Sequence, residues 1–268
     1  MLKFTKMNGA GNDFVVVDNR DNAIQLSKAQ IENVCDRHRG VGADGFLAVE
    51  PSEKGSDYRM RYYNADGGEA EMCGNGARCF GRYANRLQGG NAQKISFETI
   101  AGVIEATFEA ENVRIQLSEP FDLQLNTEIE LGGKLTKVHS VNTGVPHAVV
   151  IVDDIANVDI VPQGGAVRHH EHFAPAGTNA NFMMQLSSDS IAIRTYERGV
   201  ENETLACGTG MVANAIIHNQ LTNAQPPINV RVAGGDILLV DFERDGDQYK
   251  NVTLTGPADF VFEGEIEI

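Results

Sequence analysis

The chain carries two copies of one pattern, and this duplication limits its possible folds more than any other feature. Residues 63–78 read YNADGGEAEMCGNGAR and residues 196–212 read YERGVENETLACGTGMV. Each copy runs from an aromatic residue through an acidic loop to Cys-Gly-polar-Gly. Cys73 and Cys207 stand 134 positions apart, as do Phe14 of NDFVVVD and Ala148 of PHAVVIVDD. AGVIEATF, from Ala101, is echoed 132 positions later by AGGDILLVDF, from Ala233. Three pairs at nearly one offset mark two homologous halves, joined near Pro120. The expected domains are residues 1–118, carrying Cys73, and 119–254, carrying Cys207.

Each half is rich in short alternating segments. Residues 14–17, 58–63, 95–99, 103–108 and 113–117 read as strands in the first half. Residues 148–152, 182–186, 191–196, 228–232 and 237–242 read the same way in the second. Helices are fewer. Ser27 followed by Gln30 is a capping-box start, with Ile31, Val34 and Cys35 on one face, so a helix is predicted over 27–38. Others are predicted from Cys73 to about Leu87 and from Cys207 to about Asn219. The second is apolar on nearly every side early on, which suits a helix buried inside a sheet. Many strands around one apolar helix per half give an α+β class with a barrel-like form.

The balance of charge narrows the partners. A net charge of −15 gives no clustered basic surface for nucleic acid or an anionic membrane. No apolar run is long enough to span a bilayer, and the first residues have no apolar signal region, so a cytoplasmic location is expected. In a reducing compartment the four cysteines are not expected to form structural disulfides, and no C-x-x-C pair marks a zinc ribbon.

The two duplicated thiols carry the chemistry. A helix N-terminus presents unpaired N–H groups and about half a positive charge. A cysteine there can have its pKa lowered from about 8.5 to roughly 3.5–7.5. The following glycines let backbone N–H groups approach an anion closely. Two such corners aimed at one point would hold a carboxylate and stabilise the charge left when its α-proton departs. Inversion of a carbon centre is a reaction with two such matched halves.

MNGAGNDF, RHRGVGADG, YNADGGEAEMCGNGARC, GVPH, YERG and ACGTG together resemble the diaminopimelate epimerase family over almost the whole chain. The resemblance implies two pseudo-symmetric lobes, each a strongly curved, mostly antiparallel sheet around a central helix, with residues 255–268 returning to the first lobe. It implies cofactor-independent and metal-free interconversion of LL- and meso-diaminopimelate, for lysine and peptidoglycan synthesis, by a homodimer. By motif, Cys73 and Cys207 match the two catalytic acid/base cysteines. Gly74, Asn75, Gly208 and Thr209 match the helix-start positions that grip the reacting carboxylate. Glu197 and Arg198 match the pair that handles the substrate's charged groups. Asn12, Asn64 and Asn179 match amides that read its ammonium and carboxylate groups, and His147 matches a histidine that supports the second cysteine. Two positions depart from the family: Val145 stands where Asn is common before the Pro-His, and Gly45 stands where Gln follows the Asp.

Other features read as structural. Cys35 and Cys79, on apolar helix faces, are expected to be small buried hydrophobes. Gly40, Gly42 and Gly45 spell a formal G-x-G-x-x-G, but it follows a helix and precedes a strand, the wrong order for a dinucleotide site. RHHEHF (168–173) lacks a regular ligand spacing and is expected to be a solvated loop. Two competing functions remain at this level. A proline or hydroxyproline racemase of the same superfamily usually carries His after the first Cys-Gly, where this chain has Asn75. A redox-sensing binding module would instead use Cys73 and Cys207 as a reversible disulfide.

Overall fold

Alternation of side chains sets the strands. In residues 58–64 Tyr58, Met60 and Tyr62 are buried while Arg59, Arg61 and Tyr63 are partly exposed, the period of two expected of a pleated strand. Where both faces are covered the alternation is lost, as at Val15, Val16 and Val17, all fully buried.

The computed structural model describes residues 1–268. In chain order its elements are β1 (Leu2–Gly9), β2 (Asn12–Asp18), α1 (Lys28–Cys35), β3 (Gly45–Glu50), β4 (Tyr58–Asn64), α2 (Gly74–Leu87), β5 (Lys94–Thr99), β6 (Gly102–Glu109) and β7 (Asn112–Gln116). There follow β8 (Phe121–Leu131), β9 (Lys134–Asn142), β10 (Pro146–Ile151), α3 (Ile160–Arg168), β11 (Asn179–Gln185), β12 (Ser190–Glu197) and β13 (Asn202–Thr204). The chain ends with α4 (Gly208–Thr222), β14 (Ile228–Arg231), β15 (Ile237–Asp245), β16 (Gln248–Pro257) and β17 (Asp259–Ile266). None of the helices is long and apolar enough to cross a membrane.

The chain forms two compact units, Met1–Gln116 with Thr255–Ile268, and Leu117–Leu254. In the first, β17 pairs antiparallel with β1, and β1 with β2; β2 runs parallel to β3, β3 antiparallel to β4, and β4 parallel to β5. β6 and β7 complete the order as antiparallel neighbours. In the second, β8, β9 and β10 are successive antiparallel neighbours, β10 is parallel to β11, and β11 is antiparallel to β12. β12 is parallel to β14, and β14 antiparallel to β15. The two pairing orders are the same, so the duplication read from the sequence is a duplication of topology. In each unit the two parallel pairs are bridged by a helix: α1 and α2 in the first, α3 and α4 in the second.

Each sheet wraps one helix. α2 packs on every strand from β1 to β7, and α4 on β9, β10, β11, β12, β14 and β15. α4 is buried all round, with Met211, Val212, Ala213, Ala215, Ile216 and Ile217 fully covered, as its unbroken apolar start predicts. On α2, Gly81 presses so closely on the sheet that a Cβ there would lie 2.7 Å from Cβ of Ala106.

Several details differ from the sequence reading. α1 has its capping box, with the Ser27 side chain accepting from Gln30 N and the Gln30 side chain from Ser27 N. It stops at Cys35 rather than at 38, because Asp36 turns extended and its carboxylate accepts the N–H groups of His38 and Arg39. α3 is a helix that periodicity does not announce. Pro162 lies in its first turn, where a missing N–H costs nothing, and Gly164 lets it sit directly on β12, where a Cβ would be 2.4 Å from Cβ of Tyr196. The RHHEHF segment is more ordered than a loop: Arg168 ends α3 and Glu171–Phe173 forms a 3-10 turn. Its histidines have local partners, His169 facing Glu201 at 3.3 Å and His170 Nδ1 accepting from His172 N.

Candidate active site

Both paired cysteines are helix N-caps with nearly the same backbone. Cys73 has φ −131° and ψ 123°; Cys207 has φ −120° and ψ 111°. Neither side chain caps its own helix, so each thiol is turned away from that task. The first intrahelical bonds are Ala77 N to Cys73 O (2.7 Å) and Met211 N to Cys207 O (2.9 Å). The N–H groups of 74–76 and 208–210 precede those bonds and point out of the helix ends, where the dipole favours an anion. The glycine three positions after each cysteine lets the helix start pack closely on its neighbours. A Cβ at Gly76 would meet Phe14 at 3.3 Å and Cβ of Cys73 at 3.5 Å. One at Gly210 would meet Asn181 Oδ1 at 2.9 Å and Cys207 Sγ at 3.3 Å.

Beside Cys207 a chain of buried polar groups fixes a proton. Asn181, fully buried on β11, donates from Nδ2 to Ala148 O at 2.9 Å and accepts on Oδ1 from the Thr195 hydroxyl at 2.9 Å. Those two bonds settle which end of the amide is which. The same Nδ2 lies 3.2 Å from His147 Nδ1, so that nitrogen accepts and the ring proton sits on Nε2. Nε2 is 2.9 Å from Thr209 Oγ1, which is 3.6 Å from Cys207 Sγ. With its oxygen accepting from His147, the Thr209 hydroxyl is left to donate towards the sulfur, which favours the thiolate. Thr143 Oγ1 donates to Thr209 O at 2.9 Å and holds the helix start in place.

Burial drives His147 down to about 3 from its usual 6.5; the Arg198 cation adds to this and the Asn181 bond opposes it. His147 therefore stays neutral near pH 7. The folded state refuses a proton that the unfolded chain accepts below about 6.5. The stability is complete above that pH and is lost as pH falls towards 3. At about 1.36 kcal/mol per unit, this one group costs the fold roughly 2–3 kcal/mol between pH 6.5 and 4.5. His147→Gln is expected to flatten the pH dependence by that amount, read from urea midpoints at pH 7 and 4.5. An unchanged slope would show that the ring is not held neutral.

Arg198 and Glu197 lie at the end of β12. The Arg198 amide donates to Asn179 Oδ1 at 2.8 Å, and its guanidinium to Ala176 O at 3.3 Å. Asn179 in turn donates to Pro146 O at 3.1 Å, so its amide also ties the start of β10 to the Arg198 turn. Glu197 accepts from the Thr204 hydroxyl at 2.9 Å. Burial raises its carboxyl above the usual range, and the Thr204 bond only partly offsets this.

Around Cys73 the same positions hold different chemistry. Asn75, two residues after the cysteine like Thr209, donates from Nδ2 to Asn12 Oδ1 and accepts from Arg78 Nη2 at 3.0 Å. Asn12 Nδ2 donates to Asp44 Oδ2 at 3.1 Å. Arg37 bridges Asp44 and Asp13 at 2.8 Å each, and the buried Lys6 lies 2.8 Å from Asp13. Burial works against the Asp13 carboxylate, but Arg37 and Lys6 outweigh it and hold its pKa well below the usual range. The ion cluster thus orients Asn12, which orients Asn75. Asn64 ends β4, its side chain accepting from the Tyr62 hydroxyl at 2.8 Å.

Within the first unit the structure thus links Asn12 with Asn75, on the helix that Cys73 caps. Within the second it joins Cys207, Thr209 and His147 in one network, and links Asn179 with Arg198. The sequence reading missed Asn181, Thr195, Asp44 and Tyr62. A readable signal existed for Asn181: it is a polar residue two positions after Asn179 in the buried first part of β11. Cys35 and Cys79 are buried, and burial pushes their thiols up to about 11 and about 12.

The fold is that of a wider group of solved proteins. A phenazine biosynthesis protein of the PhzF family from Bacillus anthracis aligns with TM-score 0.75 at 16% identity, covering 100% of this chain and 99% of its own. A hydroxyproline epimerase from Agrobacterium vitis, solved with trans-4-hydroxy-L-proline, aligns with TM-score 0.73 at 15% identity, covering 99% and 90%. The family model described as diaminopimelate epimerase matches residues 4–120 and 139–261. Diaminopimelate epimerase of Aquifex aeolicus is 43% identical over 99% of this chain and 98% of its own length; that of Archaeoglobus fulgidus is 41% identical over 100% and 97%. The chain belongs to the diaminopimelate epimerase family.

Proposed function

We propose that the protein interconverts LL- and meso-diaminopimelate without a cofactor, one cysteine removing the α-proton and the other returning a proton to the opposite face. The observation that carries this reading is the matched pair of N-cap thiols, each at the head of a wrapped helix in the same strand order. Full-length similarity to diaminopimelate epimerases names the substrate. In one direction a thiolate takes Hα and becomes a thiol. The bond's electron pair passes into the carboxylate as an enediolate, stabilised by the helix-start N–H groups of Gly74, Asn75, Gly208 and Thr209. The second thiol then gives its proton to Cα and is left as thiolate. The two sulfurs have exchanged roles, and the reverse reaction runs with them swapped.

Supporting roles follow from the same reading. Thr209, held by His147, steadies the charge on Cys207. Arg198 offers a fork of donors to a carboxylate. Glu197, its carboxyl raised by burial, joins Arg198 in handling the substrate's charged groups, and Asn12, Asn64 and Asn179 read the rest of the substrate. On the family reading the protein acts as a cytoplasmic homodimer supplying lysine and cell-wall precursors. The test is incubation of reduced protein with LL-diaminopimelate in deuterated water. Inversion with deuterium uptake at the α-carbon is expected, with no reaction of proline in parallel. Lack of inversion, or inversion only with added pyridoxal phosphate, would sink the reading.

A further inference from the structure

We propose that Tyr62 is a positioning residue that turns Asn64 so that it presents its NH2 donors, and that Gly45 is the residue that admits it. This rests on the reading above in one respect, that Asn64 contacts the substrate.

Tyr62 and Asn64 are two apart on β4 and so share a face. Gly45, at the start of β3, is the cross-strand partner of Asn64. The Tyr62 ring lies over the bare Cα of Gly45: a Cβ there would be 2.7 Å from Tyr62 Cε2 and 2.8 Å from Tyr63 O. The backbone oxygen cannot yield and the ring is buried, 9% exposed and edge-on to Phe14. Any side chain at position 45 would therefore displace the phenol. From this seat the Tyr62 hydroxyl reaches Asn64 Oδ1 at 2.8 Å.

That bond decides what Asn64 recognises. An asparagine amide has an accepting end, the oxygen with two lone pairs, and a donating end, the NH2 group. The phenol donates to that oxygen, which pins the carbonyl end towards Tyr62 and leaves the NH2 group facing outward. Asn64, itself exposed at the end of β4, then selects an acceptor such as a carboxylate over an ammonium. The glycine that removes a side chain at position 45 thus brings in a hydroxyl from the neighbouring strand. The exchange is a coupled one: Gly45 and Tyr62 form a unit, and a longer side chain at 45 requires a smaller residue at 62.

The test is a double-mutant cycle on LL-diaminopimelate epimerisation. Tyr62→Phe keeps the ring and its packing and removes only the hydroxyl. It is expected to raise KM about tenfold, the size of one hydrogen bond lost to a charged group's partner, with kcat within about twofold. In an Asn64→Ala background the same change is expected to leave KM unaltered, because the hydroxyl acts through the amide. An unchanged KM for Tyr62→Phe would overturn the proposal. So would an effect that survives intact in the Asn64→Ala background, which would place the phenol on the substrate directly. An Asn64→Ala variant with the parent KM would instead overturn the assignment of Asn64 to the substrate, a failure distinct from that of Tyr62.

Discussion

Cys73→Ala and Cys207→Ala are each expected to slow interconversion of LL- and meso-diaminopimelate by at least about 10^3-fold, the upper range for loss of one positioned acid or base. Alanine fits at both N-caps, since neither thiol caps its helix, and the extended backbone at each is ordinary for any residue. The fold should therefore survive, and circular dichroism melts should stay near the parent. The informative measurement is exchange rather than inversion. A variant that keeps one thiol can still remove and restore a proton on the face that thiol serves. Each variant should thus wash deuterium into one stereoisomer with retention, and the two variants should prefer opposite isomers. A single-cysteine variant that inverts within tenfold of the parent would show that one base suffices.

Gly210→Ala is expected to lower kcat by about 10^2-fold while leaving the helix intact, a loss typical of an ångström-scale misplacement. Alanine is the better helix former, so the harm comes from contacts. The added methyl would lie 2.9 Å from Asn181 Oδ1 and 3.3 Å from Cys207 Sγ. Asn181 cannot swing aside cheaply, because Ala148 O, His147 Nδ1 and the Thr195 hydroxyl all hold it. Moving it releases His147, and with it the hydroxyl that faces the sulfur. Gly76→Ala, whose nearest contacts begin at 3.3 Å on a ring, should be milder. Steady-state rates for the two variants side by side check this. Equal losses would mean that the Asn181 network is not what Gly210 protects.

How much of this was legible in the sequence varies by element. β4 and β5 could be read from alternation, and α2 and α4 from the Cys-Gly corners and the apolar spacing behind them. β1 was not read, because it holds Lys6 inside. A lysine usually marks the solvent face, and only the Asp13 and Gly42 partners, 7 and 36 residues away, make its burial tolerable. α3 was not read because Pro162 and two glycines look like loop chemistry until Tyr196 is seen resting on Gly164. β8 and β17 are edge strands with mixed exposure, so their pattern carries little periodicity. The paired cysteines stood out through their glycine context and their duplication. The network behind Cys207 was legible only in part: His147 and Thr209 lie in motifs and Asn181 is a polar residue in the buried part of a strand, but the bonds that join them across β10, β11, β12 and α4 follow no local pattern.

The pairing of β17 with β1 has a consequence for biosynthesis. The second unit is one continuous stretch, Leu117–Leu254, whereas the first needs Thr255–Ile268 as well. A ribosome delivers the amino-terminal strands first, yet one edge of β1 has no neighbour until residues 259–266 emerge. The half that is synthesised first is therefore the half completed last. Through nearly the whole of translation the nascent chain carries an open strand edge, the kind of surface that invites pairing with other chains.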